Sequence, residues 1–242
     1  MKNKYRGIIT EKEEFLYPDS ILGTLPDELR IVMPVNGKPG IQLLLETEAR
    51  EATMDLEGKG FQAEWYQMRK IPVEYNTGDG ENQGGSMVLT KSPEIQPDYV
   101  TRKAPFWVYD CLEKKEDGHI TAVSGKIAAY ICLQAEDSTA SGEYTVTLIV
   151  KMEEKEYRCL LKVTIYDVKI PENRFYVTNW FSEEEICRFH HLKRGTEKYF
   201  DMVKKYAEAM RRIHQNVFFI QLDDRCIVKK DPYYFDFEYL TP

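Results

Sequence analysis

The charged start Met1-Lys-Asn-Lys-Tyr-Arg6 is not followed by an apolar run, so neither a signal peptide nor a membrane anchor is written there. Positive charge is in deficit too. The chain carries 33 Lys and Arg against 40 Asp and Glu, and the formal charge of −7 argues against a nucleic-acid surface, which needs clustered cations to meet phosphates. Short basic runs such as Lys193-Arg194 and Lys204-Lys205 read as solvated helix faces. Cysteine is scarce and odd in number: Cys111, Cys132, Cys159, Cys187 and Cys226 show no CxxC spacing, which excludes a disulfide framework. Three of them sit inside apolar strand patterns and read as reduced core residues. No Asn-x-Ser/Thr acceptor occurs. Together these absences set the expectation of a cytoplasmic protein without nucleic-acid or membrane partners.

Histidine is limited to four residues, and the one suggestive group, Cys187 with His190 and His191, lacks a fourth ligand and a partner cluster. No metal site is expected. His214 reads as a helix-end residue facing the last carbonyls. The Gly-rich stretch from Asn76 to Gly85 lacks the following helix N-terminus and the Lys or Ser/Thr pair that a phosphate cradle needs. It reads as a surface excursion between strands, and no cofactor is expected.

What is present is a β pattern. The composition, 43% hydrophobic and 12% aromatic over 242 residues, suffices for real cores. Leu29, Ile31, Met33 and Val35 share one face, and Ile41, Leu43 and Leu45 follow after the Asn36-Gly37-Lys-Pro-Gly40 turn, a hairpin signal. Ile127, Ala129, Ile131 and Leu133 alternate with Lys126, Ala128 and Tyr130. The clearest pair is Tyr144, Val146, Leu148 and Val150, a charged turn, then Tyr157, Cys159, Leu161, Val163 and Ile165. Arg158, Lys162 and Thr164 take the opposite, wet face. This predicts a β-sandwich of immunoglobulin-like kind over residues 1–170.

Beyond Pro171 the period changes. Arg174-Phe-Tyr-Val-Thr-Asn-Trp-Phe181 reads as a strand, and Thr196 as an N-cap of a helix with Tyr199, Val203, Tyr206, Met210 and Ile213 on its apolar stripe. Asn216-Val-Phe-Phe-Ile-Gln-Leu222 reads as a second strand, followed by Asp223-Asp224. The succession predicts one parallel βαβ crossover over residues 171–242. Two parallel strands cannot bury both of their faces. The expectation is therefore the front of a longer α/β protein, an incomplete (β/α)8 barrel.

Specific residues carry a family resemblance. Ser141-Gly-Glu-Tyr-Thr-Val-Thr-Leu-Ile-Val150, followed by Cys159-Leu-Leu-Lys-Val-Thr-Ile-Tyr-Asp-Val-Lys-Ile-Pro171, resembles the last hairpin of the N-terminal β-sandwich in glycoside hydrolase family 123 and its relatives. There a Gly-x-Tyr strand and a Val-x-Asp-x-x-Leu-Pro-like exit lead into a (β/α)8 barrel. Trp180, Tyr206-Ala207 and Arg212-Ile-His214-Gln-Asn216 are similar to the start of such a barrel, and the resemblance runs from about Lys126 to Leu222. It implies cleavage of β-linked N-acetylhexosamine, the substrate's acetamido group acting as nucleophile beside an Asp-Glu pair on a later strand. No Asp-Glu follows Pro171; the single one, Asp27-Glu28, lies in the sandwich region. No catalytic residue is therefore assigned in this chain.

Barrels bind ligands at the C-terminal ends of their strands. That places Asn179 and Trp180 after the first strand and Asp223 and Asp224 after the second as candidate substrate-binding residues, Trp180 to stack on a sugar ring and the aspartates to accept from hydroxyls. The plainer alternative, favoured by residue type alone, is that Trp180 packs and the aspartates are solvated. Two functions follow. One is the N-terminal portion of a glycoside-hydrolase-like protein, partnered by carbohydrate and by the remainder of its own barrel. The other is a non-catalytic carbohydrate- or protein-binding sandwich.

Overall fold

Strand-forming alternation governs the first 170 residues and a helical period appears only after Pro171, and the contacts divide the chain at the same place into two units, Met1–Ile170 and Pro171–Pro242. The computed structural model describes residues 5–74, 76–77, 89–90, 101–171, 175–178, 182–213, 215–217, 227–230 and 233–235.

The first unit contains β1 (Arg6–Thr10), β2 (Gly23–Thr24), β3 (Glu28–Pro34), β4 (Gly40–Glu46), β5 (Glu51–Glu57), β6 (Phe61–Val73), β7 (Asn76–Thr77), β8 (Leu89–Thr90), β9 (Phe106–Lys115), β10 (His119–Thr121), β11 (Lys126–Ala135), β12 (Gly142–Met152) and β13 (Lys155–Tyr166). A six-stranded sheet has the order β2-β1-β4-β11-β6-β9, and a five-stranded sheet the order β10-β5-β12-β13-β3. β7 and β8 form a separate short antiparallel pair flanking the Gly-rich stretch, whose residues 78–85 lie outside the described residues.

Both sheets turn one face onto a shared core. Ile41, Leu43, Leu45, Ile127, Ile131 and Leu133 come from the six-stranded sheet; Leu148, Val150, Tyr157, Cys159 and Leu161 come from the five-stranded one. Every one of these side chains is shielded from solvent. The period-2 pattern of each strand delivers this, since alternate residues share a face. Two polar groups inside are satisfied: the Tyr157 hydroxyl donates to Pro26 O at 2.8 Å, and Gln67 Nε2 donates to Thr121 O at 2.8 Å. Burial pushes the Tyr157 phenol and the Cys159 thiol above their ordinary ranges.

The β12–β13 hairpin matches its sequence pattern in register, Met152 opposite Lys155 and Val146 opposite Leu161, with Glu153 at a φ of 46° in the tight turn. The Asn36–Gly40 turn does not make the expected hairpin. β3 runs parallel to β13 in one sheet, and β4 lies between β1 and β11 in the other. The turn is thus a crossover between sheets. Local turn chemistry bends the chain, with Gly37 N–H donating to Pro34 O at 2.9 Å, but it does not choose the pairing. Strand partners of greater length do: β3 is in register with β13 from Glu28–Leu160 to Pro34–Tyr166. Asn36 has a different task, its amide donating to Ile170 O at 3.0 Å and accepting from Ile170 N at 2.8 Å. It ties down the chain as it leaves the sandwich.

Cysteine burial also departs from expectation. Cys159 is buried and Cys132 half-buried, but Cys111 is exposed. It sits on edge strand β9, where a register shift between Arg69, opposite Cys111, and Lys70, opposite Tyr109, interrupts the alternation just before the cysteine.

A smaller cluster covers the outer face of the six-stranded sheet. Residues after β1 cross that face as a strap. Leu16 packs with Leu44, Met68, Tyr109 and Ala128. Leu16 O accepts from Tyr109 N at 3.0 Å. Nearby, Arg102 stacks 4.3 Å from the Tyr17 ring and pairs with Asp19.

On β9, the Glu113 carboxylate accepts from Arg69 and from Lys115 Nζ at 2.6 Å. The hydrogen bond from Arg69, then that from Lys115, lowers its pKa to about 2. A depressed carboxylate contributes stability above its unfolded-state range, and that contribution is lost as pH falls through about 2. Solvent screening keeps it small at this exposed pair. An NMR titration of the side-chain carboxyl should place its midpoint near the lower value, and Arg69→Gln should raise it; an unmoved midpoint contradicts the pairing.

Candidate functional site

After Pro171 the described part of the second unit comprises residues 175–178, α1 (Glu183–Phe189), α2 (Glu197–Arg212), residues 215–217 and the antiparallel pair β14 (Ile227–Lys230) and β15 (Tyr233–Phe235). The expected single helix is corrected to two. Ser182 caps α1 by accepting from Glu185 N at 3.3 Å, and Glu183, Glu184 and Glu185 occupy its first turn, where the helix dipole favours negative charge. That Ser-x-x-Glu signature was present in the sequence. α2 starts at the expected cap: Thr196 Oγ1 accepts from Tyr199 N at 3.4 Å. Its stripe is graded, Tyr199 buried, Val203, Tyr206 and Met210 half-buried, and Ile213 exposed at the C-cap.

The helices are joined by polar contacts. Tyr199 OH donates to Glu183 Oε2 at 2.7 Å, and Arg194 meets the same oxygen at 2.6 Å. Burial, then the hydrogen bond to Glu183, raises the Tyr199 pKa, so this phenol stays a donor. His190 Nε2 lies 3.0 Å from Tyr206 OH. The arrangement is a brace. It leaves Glu183 committed to two partners.

The segments expected as two strands lie side by side without regular strand geometry over residues 175–178 and 215–217. Asn216 N and Val217 N both donate to Val177 O at 3.1 Å. The Asn216 side chain accepts from Val177 N at 2.8 Å and donates to Phe175 O at 2.8 Å. Its amide thus supplies one acceptor and one donor to the neighbouring chain, as a strand backbone does. Sequence reading placed Asn216 only at a strand entry. The residue type is the signal, because Asn carries a peptide-like amide.

Asn179, Trp180, Asp223 and Asp224 lie outside the described residues. Cys226 and His214 do as well. Among the described residues no three His, Cys, Asp or Glu converge as a metal site would require, and no helix is long and apolar enough to cross a membrane.

The first unit holds a concave place. Between the strap and the Gly40 end of β4 lies a cleft of about 300 Å³, lined by Lys12, Glu13, Lys38, Gly40, Gln42 and Tyr130 among others. Gln42 Nε2 donates to Lys12 O at 3.0 Å and Glu14 O at 2.8 Å, fixing the strap. Tyr130 meets Tyr66 edge-on, centroids 6.1 Å apart. Desolvation raises the Tyr130 pKa and keeps the phenol protonated. Sequence reading saw Tyr130 only as the outward partner of Ile131.

No family model and no curated protein matches the sequence. Among solved structures the chain is similar to a family 123 glycoside hydrolase from Clostridium perfringens, whose structure was analysed for glycolipid glycan hydrolysis, with a TM-score of 0.62 and 13% identity. The likeness covers 88% of this chain and 37% of that one. At this identity it is a likeness of fold, over a chain that spans little more than a third of the other's length. Coverage of 88% of 242 residues extends beyond the 170 residues of the sandwich unit.

Proposed function

We propose that this chain is the N-terminal part of a glycoside hydrolase of the family 123 type, a β-sandwich followed by the opening unit of a (β/α)8 barrel, acting on β-linked N-acetylhexosamine glycans when complete. The observation that carries this reading is the fold likeness to the clostridial enzyme, which reaches past the sandwich. The exit from Val163 to Pro171 and the pairing of Val177 with Asn216 support it. In this reading Asn179 and Trp180 close the first barrel strand, and Asp223 and Asp224 close the second. Their task is to hold sugar, Trp180 by stacking and the aspartates by accepting from hydroxyls. The pair that assists the acetamido nucleophile belongs to a later strand, so this chain supplies binding and scaffold without the chemical step.

The test is an assay with aryl N-acetyl-β-hexosaminides on two proteins, the 242-residue chain and the product of the whole reading frame that encodes it. Turnover is expected from a longer product and not from the chain alone. Turnover by the chain that disappears on mutating Asp223 or Asp224 would place catalysis here and overturn the assignment; a longer product inert on these substrates would overturn the substrate class.

A further inference from the structure

We propose that the cleft between the 11–16 strap and the Gly40 end of β4 binds a neutral carbohydrate unit, with the Tyr130 hydroxyl as its central hydrogen-bonding group. This site lies wholly in the sandwich, needs no catalysis and does not depend on the barrel reading.

The walls are built rather than loose. Lys12 N–H donates to Thr10 Oγ1 at 3.1 Å as the strap leaves β1, Gln42 holds the strap from below through two carbonyls, and Leu16 anchors its far end in the outer cluster. The floor is equally fixed, because Tyr130 stands mid-strand on β11 with Gln42 opposite on one side and Tyr66 on the other.

Gly40 makes the room. A Cβ there would lie 2.0 Å from Tyr130 OH. The residue does not adopt a left-handed φ, so the backbone has no need of glycine. What needs it is the phenol, which occupies the space a side chain would take.

The chemistry of the lining selects the ligand. Tyr130 OH makes no hydrogen bond to any described residue and lines the cleft, so the hydroxyl is open to a ligand there. Lys12, Lys38, Glu11 and Glu13 all line the cleft, and among the described residues none of the four is in an ion pair. A set with two cations and two carboxylates repels neither sign strongly and attracts neither. It offers several donors and acceptors to one small molecule, the need of a ligand with many hydroxyls and no charge. A volume of about 300 Å³ is at the small end of ligand pockets, suited to a single ring or two rather than a peptide.

The experiment is an NMR titration of the isotope-labelled 242-residue chain with di-N-acetylchitobiose, with lactose and with inorganic sulfate. Either sugar should give saturable shifts at Gly40, Gln42 and Tyr130, and Tyr130→Phe should weaken binding by about five- to tenfold, the loss of one hydrogen bond. Gly40→Ala, which crowds the phenol, should weaken it too, and unchanged circular dichroism verifies that both variants fold. No saturable shift at these residues up to ~10 mM sugar, a range that detects millimolar binding, overturns the proposal. So does Tyr130→Phe binding as well as the parent, or sulfate shifting these residues in preference to sugar. Shifts confined to residues 171–242 would overturn it while leaving the barrel reading standing.

Discussion

Replacing Ile131 with alanine should destabilise the sandwich by about 2–5 kcal/mol, the range for removing a large aliphatic side chain from a packed core. Ile131 is fully buried at the centre of the six-stranded sheet, opposite Ile41 on one side and Trp65 on the other. Its neighbours are strands fixed by long ladders, so the cavity cannot collapse cheaply. Urea unfolding followed by tryptophan fluorescence should show the loss, because Trp65 packs against the same core. The control is Val32→Ala. Val32 is 63% exposed, and its truncation should cost no more than about 0.5 kcal/mol. Equal effects at the two positions would mean that the two sheets do not enclose a common core.

The 242-residue chain should self-associate in light scattering, whereas the fragment 1–170 should be a monomer. In the second unit Phe175 is 80% exposed, Tyr176 89%, Phe189 73% and Ile213 62%. Phe175 and Tyr176 are adjacent and lie in the segment read as the first barrel strand, where a neighbouring strand would cover them. In the proposed architecture further barrel strands would cover part of that surface. A monodisperse monomer of the whole chain would show that these groups need no cover.

Which features were legible depended on how far apart in sequence their causes lie. The alternation of Val146, Leu148 and Val150 with Tyr157, Cys159 and Leu161 sits within one hairpin, and the structure pairs it as the pattern implies. Thr196 announces α2 locally and caps it. The Asn36–Gly40 turn looked equally clear, yet β3 and β4 went to different sheets because their partners, β13 for the one and β1 and β11 for the other, lie far from the turn in sequence. α1 was overlooked despite its Ser182-Glu185 signature, since it is 7 residues long and Ile186 is its one buried residue. Cys111 follows a strand pattern that a register shift interrupts. The site in the sandwich was not visible for a related reason. Tyr130 acquires meaning only beside Gly40, on the adjacent strand and far away in sequence. The barrel residues Asn179, Trp180, Asp223 and Asp224 remain part of the proposal.

The central claim is that the second unit opens a parallel α/β barrel, and interstrand nuclear Overhauser contacts between residues 175–181 and 215–222 test it most directly. The hydrogen bonds from Asn216 and Val217 to Val177 set the starting register. The account predicts that contacts advance in the same direction along both segments, with residues after Thr178 meeting residues after Val217. Contacts that run in opposite directions, or none beyond Val177 and Val217, would contradict it.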